Sequence, residues 1–137
     1  MNLQTYPTLS VQTATEISHV GETITFSIVI NINSGGSFGS GAFTLSYDQT
    51  ILQLRSFLVG QQFLGWTNTS ECGVLRFNAV STSGANGLLV LGTGQFKALV
   101  NGDTALSLGM ANTPVDSLGS ALTDLNIVSS SIKVGRN

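Results

Sequence analysis

Apolar residues alternate with hydroxyl and amide residues along most of this chain. Across residues 22–32, Ile24, Phe26, Ile28, Ile30 and Ile32 alternate with Thr23, Thr25, Ser27, Val29 and Asn31. That period of two gives a strand one face for a core and one mostly for solvent. The same alternation returns in 42–47, 74–80 and 94–100, and more briefly in 104–108 and 127–134. Residues 8–13 read as an opening strand and 51–57 as another. Turn chemistry separates these runs: a glycine-rich loop at 33–41, a second loop at 83–87, and Asn101-Gly-Asp103, which holds the Asn-Gly pair favoured in tight hairpins. No stretch carries a sustained apolar stripe at helical spacing. The most helix-like fragment is 48–52, where Asp48 is placed to cap one short turn. Roughly eight or nine short strands with turn signals between them predict an all-β sandwich or barrel. No internal repeat, linker or composition shift divides the chain, so residues 1–137 are expected to form a single domain.

Composition narrows the function. Charged residues make up 9% of the 137, against roughly 25% in an average soluble domain. Sixteen glycines and many Ser, Thr and Asn residues supply polarity instead. With five Lys+Arg, seven Asp+Glu and a net charge of −2, there is no basic field to hold a nucleic-acid backbone or an anionic membrane. Acid–base chemistry is equally sparse. A Ser-His-Asp triad would have to use His19, the one histidine, and a zinc site would have only His19 and Cys72 as nitrogen and sulfur ligands. One cysteine allows no disulfide within the chain. No run approaches the roughly 18 apolar residues of a membrane span, and Met1-Asn-Leu-Gln4 lacks a basic leader, so neither span nor signal peptide is expected. The balance points to a binding or structural module rather than an enzyme, with no cofactor and no metal.

The order of features carries a resemblance. Val20-Gly-Glu-Thr-Ile-Thr-Phe26 feeds a long strand, and Leu45-Ser-Tyr-Asp-Gln-Thr-Ile-Leu52 joins two more through a turn. Then come Gly73-Val-Leu-Arg-Phe-Asn-Ala79, Gly92-Thr-Gly-Gln-Phe-Lys-Ala-Leu99 and Ser130-Ser-Ile-Lys-Val134. From about Thr8 to Val134 the chain resembles the cohesins and their relatives among bacterial carbohydrate-binding modules. The resemblance implies an antiparallel β-sandwich of jelly-roll topology with about nine strands. It implies an extracellular or cell-surface module of a larger bacterial protein, monomeric itself, that binds a dockerin. A dockerin is a small calcium-loaded helical domain, and it would lie across a flat sheet face built here from 41–47, 64–69, 73–80 and 104–109. Cohesins of the best-known type carry an Asn and an Asp near the phenylalanine corresponding to Phe43. Here Ser40 and Ala42 stand in that neighbourhood, and the proline that usually follows Tyr-Asp is absent after Asp48. The fold inference is untouched by those departures, but the usual hydrogen-bonding anchors are missing.

The residues singled out for a partner-binding face are Ser40, Ala42, Thr44, Ser46, Trp66, Arg76, Asn78, Leu106 and Leu108. Strand parity lets only one set of each alternation face outward, so Phe43 and Leu45 remain the alternates of Thr44 and Ser46. Trp66 reads as a packing residue, or as the centre of a sugar platform if a polysaccharide is the partner. Asp48 reads as a turn former, His19 as a surface residue and Cys72 as structural. Asn68-Thr-Ser70 matches a glycosylation pattern of no weight in a bacterial protein, and the Gly-x-Gly at Gly92 lacks the following helix that a phosphate site needs. Asp103, Asp116 and Asp124 lack the spacing of a calcium loop. The expected core is Phe26, Ile28, Ile30, Phe43, Leu45, Phe77 and Phe96. Two readings stand beside the dockerin-binding module: a carbohydrate-binding module centred on Trp66, and a structural spacer of a surface protein.

Overall fold

The computed structural model describes residues 8–13, 17–32, 37–61, 63–68, 73–85, 87–110, 114–116 and 125–135. Among them the alternating segments form eleven strands: β1 (Thr8–Thr13), β2 (Ile17–Ser18), β3 (Thr23–Ile32), β4 (Phe38–Ser46), β5 (Leu52–Val59), β6 (Thr67–Asn68), β7 (Val74–Ala85), β8 (Gly87–Ala98), β9 (Gly102–Met110), β10 (Asn126–Val128) and β11 (Ser130–Val134). They build two sheets, β10-β1-β3-β8-β5 and β2-β11-β9-β4-β7-β6. The fold is the β-sandwich read from the sequence. β2 and β6 are two-residue strands, and without them the count is the nine anticipated. Two short edge pairings, β1 with β10 and β2 with β11, are parallel, whereas the others are antiparallel.

All seven phenylalanines are buried between the sheets, and their rings form one connected series. Phe96 lies 4.5 Å from Phe26, Phe26 lies 6.0 Å from Phe57, and Phe57 crosses to Phe77 of the other sheet at 4.8 Å. Phe77 continues to Phe43 at 5.3 Å, Phe43 to Phe38 at 6.4 Å, and Phe38 to Phe63 at 5.7 Å. Such offset and edge contacts add roughly 0.5–1.5 kcal/mol per pair beyond area burial. The seven expected core positions are all buried. Gly94 makes room for this series: a Cβ there would stand 2.6 Å from the Phe26 ring and 2.6 Å from the Ser56 carbonyl. Gly92 likewise faces the Phe57 ring. The Gly-x-Gly is therefore a packing device.

Three turn expectations need correction. The loop anticipated at 33–41 is already strand from Phe38, because Phe38 is a buried core ring and Val115 bonds the backbone of Gly39 and Ser40. The loop anticipated at 83–87 is largely recruited into β7 and β8, since Ala85 pairs with Phe38 and Gly87 with Ile32. Asn101-Gly102 is no hairpin. β8 already has β3 and β5 on its two edges, so the chain must leave that sheet to begin β9 in the other.

The turn at 48–52 forms as read. The Asp48 carboxylate accepts the Thr50 hydroxyl and, at 2.9 Å, the Thr50 backbone N–H, while the Asp48 carbonyl accepts from Ile51 and Leu52. Those bonds from Thr50 hold the Asp48 carboxyl below the usual aspartate range. Tyr6, Glu71, Cys72, Asp124, Thr69 and Ser70 lie outside the described residues, as does the side chain of Asn68. Among the described residues no helix is long and apolar enough to cross a membrane.

Candidate partner-binding face

Four neighbouring strands, β9-β4-β7-β6, hold the four segments assigned to the flat face and place them side by side in one sheet. Parity on β4 and β7 is fixed by the core. Phe43, Leu45, Leu75, Phe77 and Ala79 point inward, so Ser40, Ala42, Thr44 and Ser46 face outward beside Val74, Arg76, Asn78 and Val80. Register then orders the face into rows. Ser40 pairs with Val80 and with Val115, and Val80 pairs in turn with Leu64. Ala42 pairs with Asn78, Thr44 with Arg76 and Gly109, and Ser46 with Val74 and Ser107.

Leu106 and Leu108 do not belong to this face. They are 0% and 9% exposed and point into the core, because Leu45 pairs with Leu108 and shares its inward side. The outward residues of β9 are Asp103, Ala105 and Ser107. Leu64, Val80 and Val115 are among the face residues that sequence reasoning did not single out. Val80 carried a signal, continuing the outward alternation of Arg76 and Asn78, whereas Val115 reaches the face only through its bridge to Ser40.

Trp66 is 54% exposed, so it is not the packing residue expected. Its backbone is nevertheless tightly held. The Trp66 N–H donates to Asn78 Oδ1 at 2.8 Å, and the Asn78 N–H donates to the Trp66 carbonyl at 3.0 Å. Gly65 lets this edge segment approach, since any Cβ there would collide with the Asn78 carbonyl. Among the described aromatics Trp66 alone is exposed: the phenylalanines are buried, and Tyr47 is half-buried against Phe96 at 4.9 Å. A platform of coplanar rings is therefore not built around it by described residues.

The chemistry outside this face is thin. His19 is a surface residue in a turn, its backbone N–H donating to Glu22 Oε1 at 2.7 Å and its ring Nδ1 lying 3.2 Å from the same oxygen. Bonds from the His19 backbone, the His19 ring and the Ser18 hydroxyl hold the Glu22 carboxyl below the usual glutamate range. A shallow groove of about 470 Å³ on the opposite sheet is lined by Leu58, Val59, Gly60, Gln61, Leu88, Val90 and Thr93 and contains no titratable side chain. Among the described residues no three His, Cys, Asp or Glu side chains gather where a metal could be held.

The family model for the cohesin domain matches residues 7–134. The chain belongs to the cohesin family. No curated protein matches it in sequence. Solved cohesins share its fold at low identity. A non-cellulosomal cohesin of the archaeon Archaeoglobus fulgidus superposes with a TM-score of 0.80 at 17% identity, covering 96% of this chain and 93% of that one. The sixth cohesin of Acetivibrio cellulolyticus scaffoldin B, solved in complex with a Cel5 dockerin variant, gives 0.78 at 18%, covering 96% and 100%. A cohesin of Clostridium thermocellum in a complex with Doc918 gives 0.75 at 12%, covering 93% and 99%.

On this cohesin the charged residues paired within the strands of the face lie toward one end. Arg76 lies two rows from Val80, and Asp103 with its register partner Lys133 lies further along the strands. Leu64, Val80 and Ala42 occupy the opposite end with Trp66. The face thus grades from apolar to polar along the strand direction.

Proposed function

We propose that this cohesin is a non-catalytic, extracellular interaction module that binds a dockerin-type helical partner across the outward face of β9-β4-β7-β6. The observation that carries the reading is that face itself. It is an exposed sheet surface of hydroxyl, amide and apolar side chains, fixed in register by a buried aromatic core, within a cohesin fold. A rigid, weakly charged surface of this kind suits protein recognition, in which a few buried anchors supply most of the energy and polar groups set register. Dockerin complexes of solved cohesins support the choice of partner. Ser40 and Ala42 replace the usual Asn and Asp anchors, so binding here draws on the other rows of the face. The whole chain is read as one such module of a secreted bacterial protein.

The deciding experiment is calorimetry against dockerin modules on one side and cellulose, xylan and chitin fragments on the other. Heat with a dockerin, lost in Thr44→Lys while the circular dichroism spectrum stays unchanged, supports the reading. Thr44 is central and outward, paired with Arg76 on one side and Gly109 on the other, and a charge buried there without a partner costs several kcal/mol. Heat with a polysaccharide fragment and none with dockerins would replace it by the carbohydrate-binding alternative. Silence with both would leave the structural spacer.

A further inference from the structure

We infer that Asn101 is a site of spontaneous deamidation, at which the folded protein closes to a succinimide and opens to aspartate and isoaspartate. The Asn101-Gly102 pair makes no hairpin, so it does not serve the tight turn in which such pairs are usually found. β8 ends at Ala98 and β9 begins at Gly102, and Asn101 lies between them, exposed and outside both ladders. Among the described residues no hydrogen bond holds its carboxamide. The side chain rests beside Gly135, where a Cβ would stand 3.7 Å from Asn101 Cγ.

The following residue completes the site. Attack on Asn101 Cγ comes from the backbone nitrogen of residue 102, and a side chain there would crowd the approach. Gly102 has none, and the fold keeps it so: its φ is +153°, and a Cβ would stand 2.8 Å from Ile51 Cδ1. Asn31, Asn78 and Asn126 are followed by Ile32, Ala79 and Ile127, each of which carries a Cβ. Asn78 is restrained further, because its amide oxygen accepts the Trp66 N–H.

The reaction balances with water as its one co-reactant. Base removes the Gly102 N–H proton, the nitrogen bonds to Asn101 Cγ, and the side-chain amide leaves as ammonia. Water then opens the ring at either carbonyl. Opening at Cγ gives aspartate, whereas opening at the backbone carbonyl gives isoaspartate, with the chain running through the former side chain. Either product adds one negative charge, taking the net charge from −2 to −3 (−2 − 1). The new carboxylate stands two residues before Asp103, and isoaspartate also lengthens the backbone by a methylene just before the Gly102–Val134 pair. The amide is not regenerated, so the converted fraction grows with the age of the molecule.

The test incubates the full chain at neutral and mildly alkaline pH beside a synthetic peptide of residues 99–104. Samples are taken for isoelectric focusing and tryptic mapping, in which 77–97 carries Asn78 and Asn86 and 98–133 carries Asn101. The expected result is an acidic band that grows within several-fold of the peptide's rate and faster at higher pH, with ammonia released in step. Sequencing of 98–133 by mass spectrometry should place the conversion at residue 101, while Asn126 in the same peptide and Asn78 stay amides. An isoaspartyl methyltransferase should label that peptide with methyl from S-adenosylmethionine, and should leave it unlabelled in Asn101→Gln, whose longer side chain closes a ring far more slowly. Residue 101 still an amide after the synthetic peptide has converted would overturn the inference. An acidic band whose 98–133 peptide is unchanged, or is labelled equally in Asn101→Gln, would overturn it as well.

Discussion

Asn78 and Trp66 hold each other through two hydrogen bonds, one from the Trp66 N–H to the Asn78 side-chain oxygen and one from the Asn78 N–H to the Trp66 carbonyl. The second bond belongs to the backbone, so it survives any substitution at residue 78 except proline, which lacks the N–H. The first depends on an acceptor in that side chain. Asn78→Ala is expected to lower stability by about 1 kcal/mol, the net value of such a bond. Asn78→Asp keeps an acceptor and should lie closer to the parent. Urea denaturation of the pair measures this, and equal midpoints for Asn78→Ala and the parent would show that the side-chain bond contributes nothing to stability.

The aromatic series predicts where truncation is most costly. Phe96 is fully buried and touches both Phe26 and Tyr47, so Phe96→Ala removes contacts on two sides. A loss of about 3–5 kcal/mol is expected. An unchanged denaturation midpoint would contradict the packing described.

Gly94 gives the converse test, because there an added methyl group meets the Phe26 ring and the Ser56 carbonyl together. Overpacking of this kind costs roughly 1–3 kcal/mol. Gly94→Ala should therefore lower the melting temperature by several degrees. Calorimetric scanning of Gly94→Ala beside Gly21→Ala separates space from backbone. Gly21 has open room but a φ of +92°, so strain alone acts there.

The parity of β9 can be read by charge. Ala105→Lys faces solvent and should fold normally, whereas Leu106→Lys would drive an ammonium into the core between the sheets. Soluble expression and circular dichroism of the two variants decide it. A folded Leu106→Lys would mean that β9 lies the other way round.

Acid should weaken the turn that joins β2 to β3. Glu22 is held below the usual glutamate range by its bonds from His19 and Ser18, so its ionised form is favoured in the folded state. The stability this supplies is complete above the usual glutamate range and is lost as pH falls through the lowered folded value. Glu22→Gln removes it at neutral pH. The melting-temperature gap between parent and Glu22→Gln should be small, as befits an exposed group, and should close on acidification. A gap that stays constant from neutral to acid pH would exclude the mechanism.

Much of the fold was legible because the contrast along each strand is stark. Ile and Phe against Thr and Ser in 22–32 leave one arrangement that buries the apolar set, and β3 adopts it. What eluded the sequence is set by distant partners. Leu106 and Leu108 alternate with Ala105 and Ser107, but their absolute side follows from the pairing of β9 with β4. Trp66 looked like core because large aromatics usually are, yet it lies on an edge segment brought close by Gly65, where its ring projects outward. The crossover at Asn101-Gly102 was hidden for the same reason: both edges of β8 are taken by strands remote in sequence.

The parallel edge pairings set how the molecule bears tension. β1 lies beside β10 and β2 beside β11, each pair running the same way, so the opening and closing strands of the chain are neighbours in both sheets. A pull on β1 from its leading end and on β10 and β11 from their trailing ends runs along the strands in opposite directions. The hydrogen bonds between β1 and β10 are then loaded together in shear, instead of being opened one after another as when a hairpin is peeled apart. A module strung along a chain under drag would meet force where its resistance is shared.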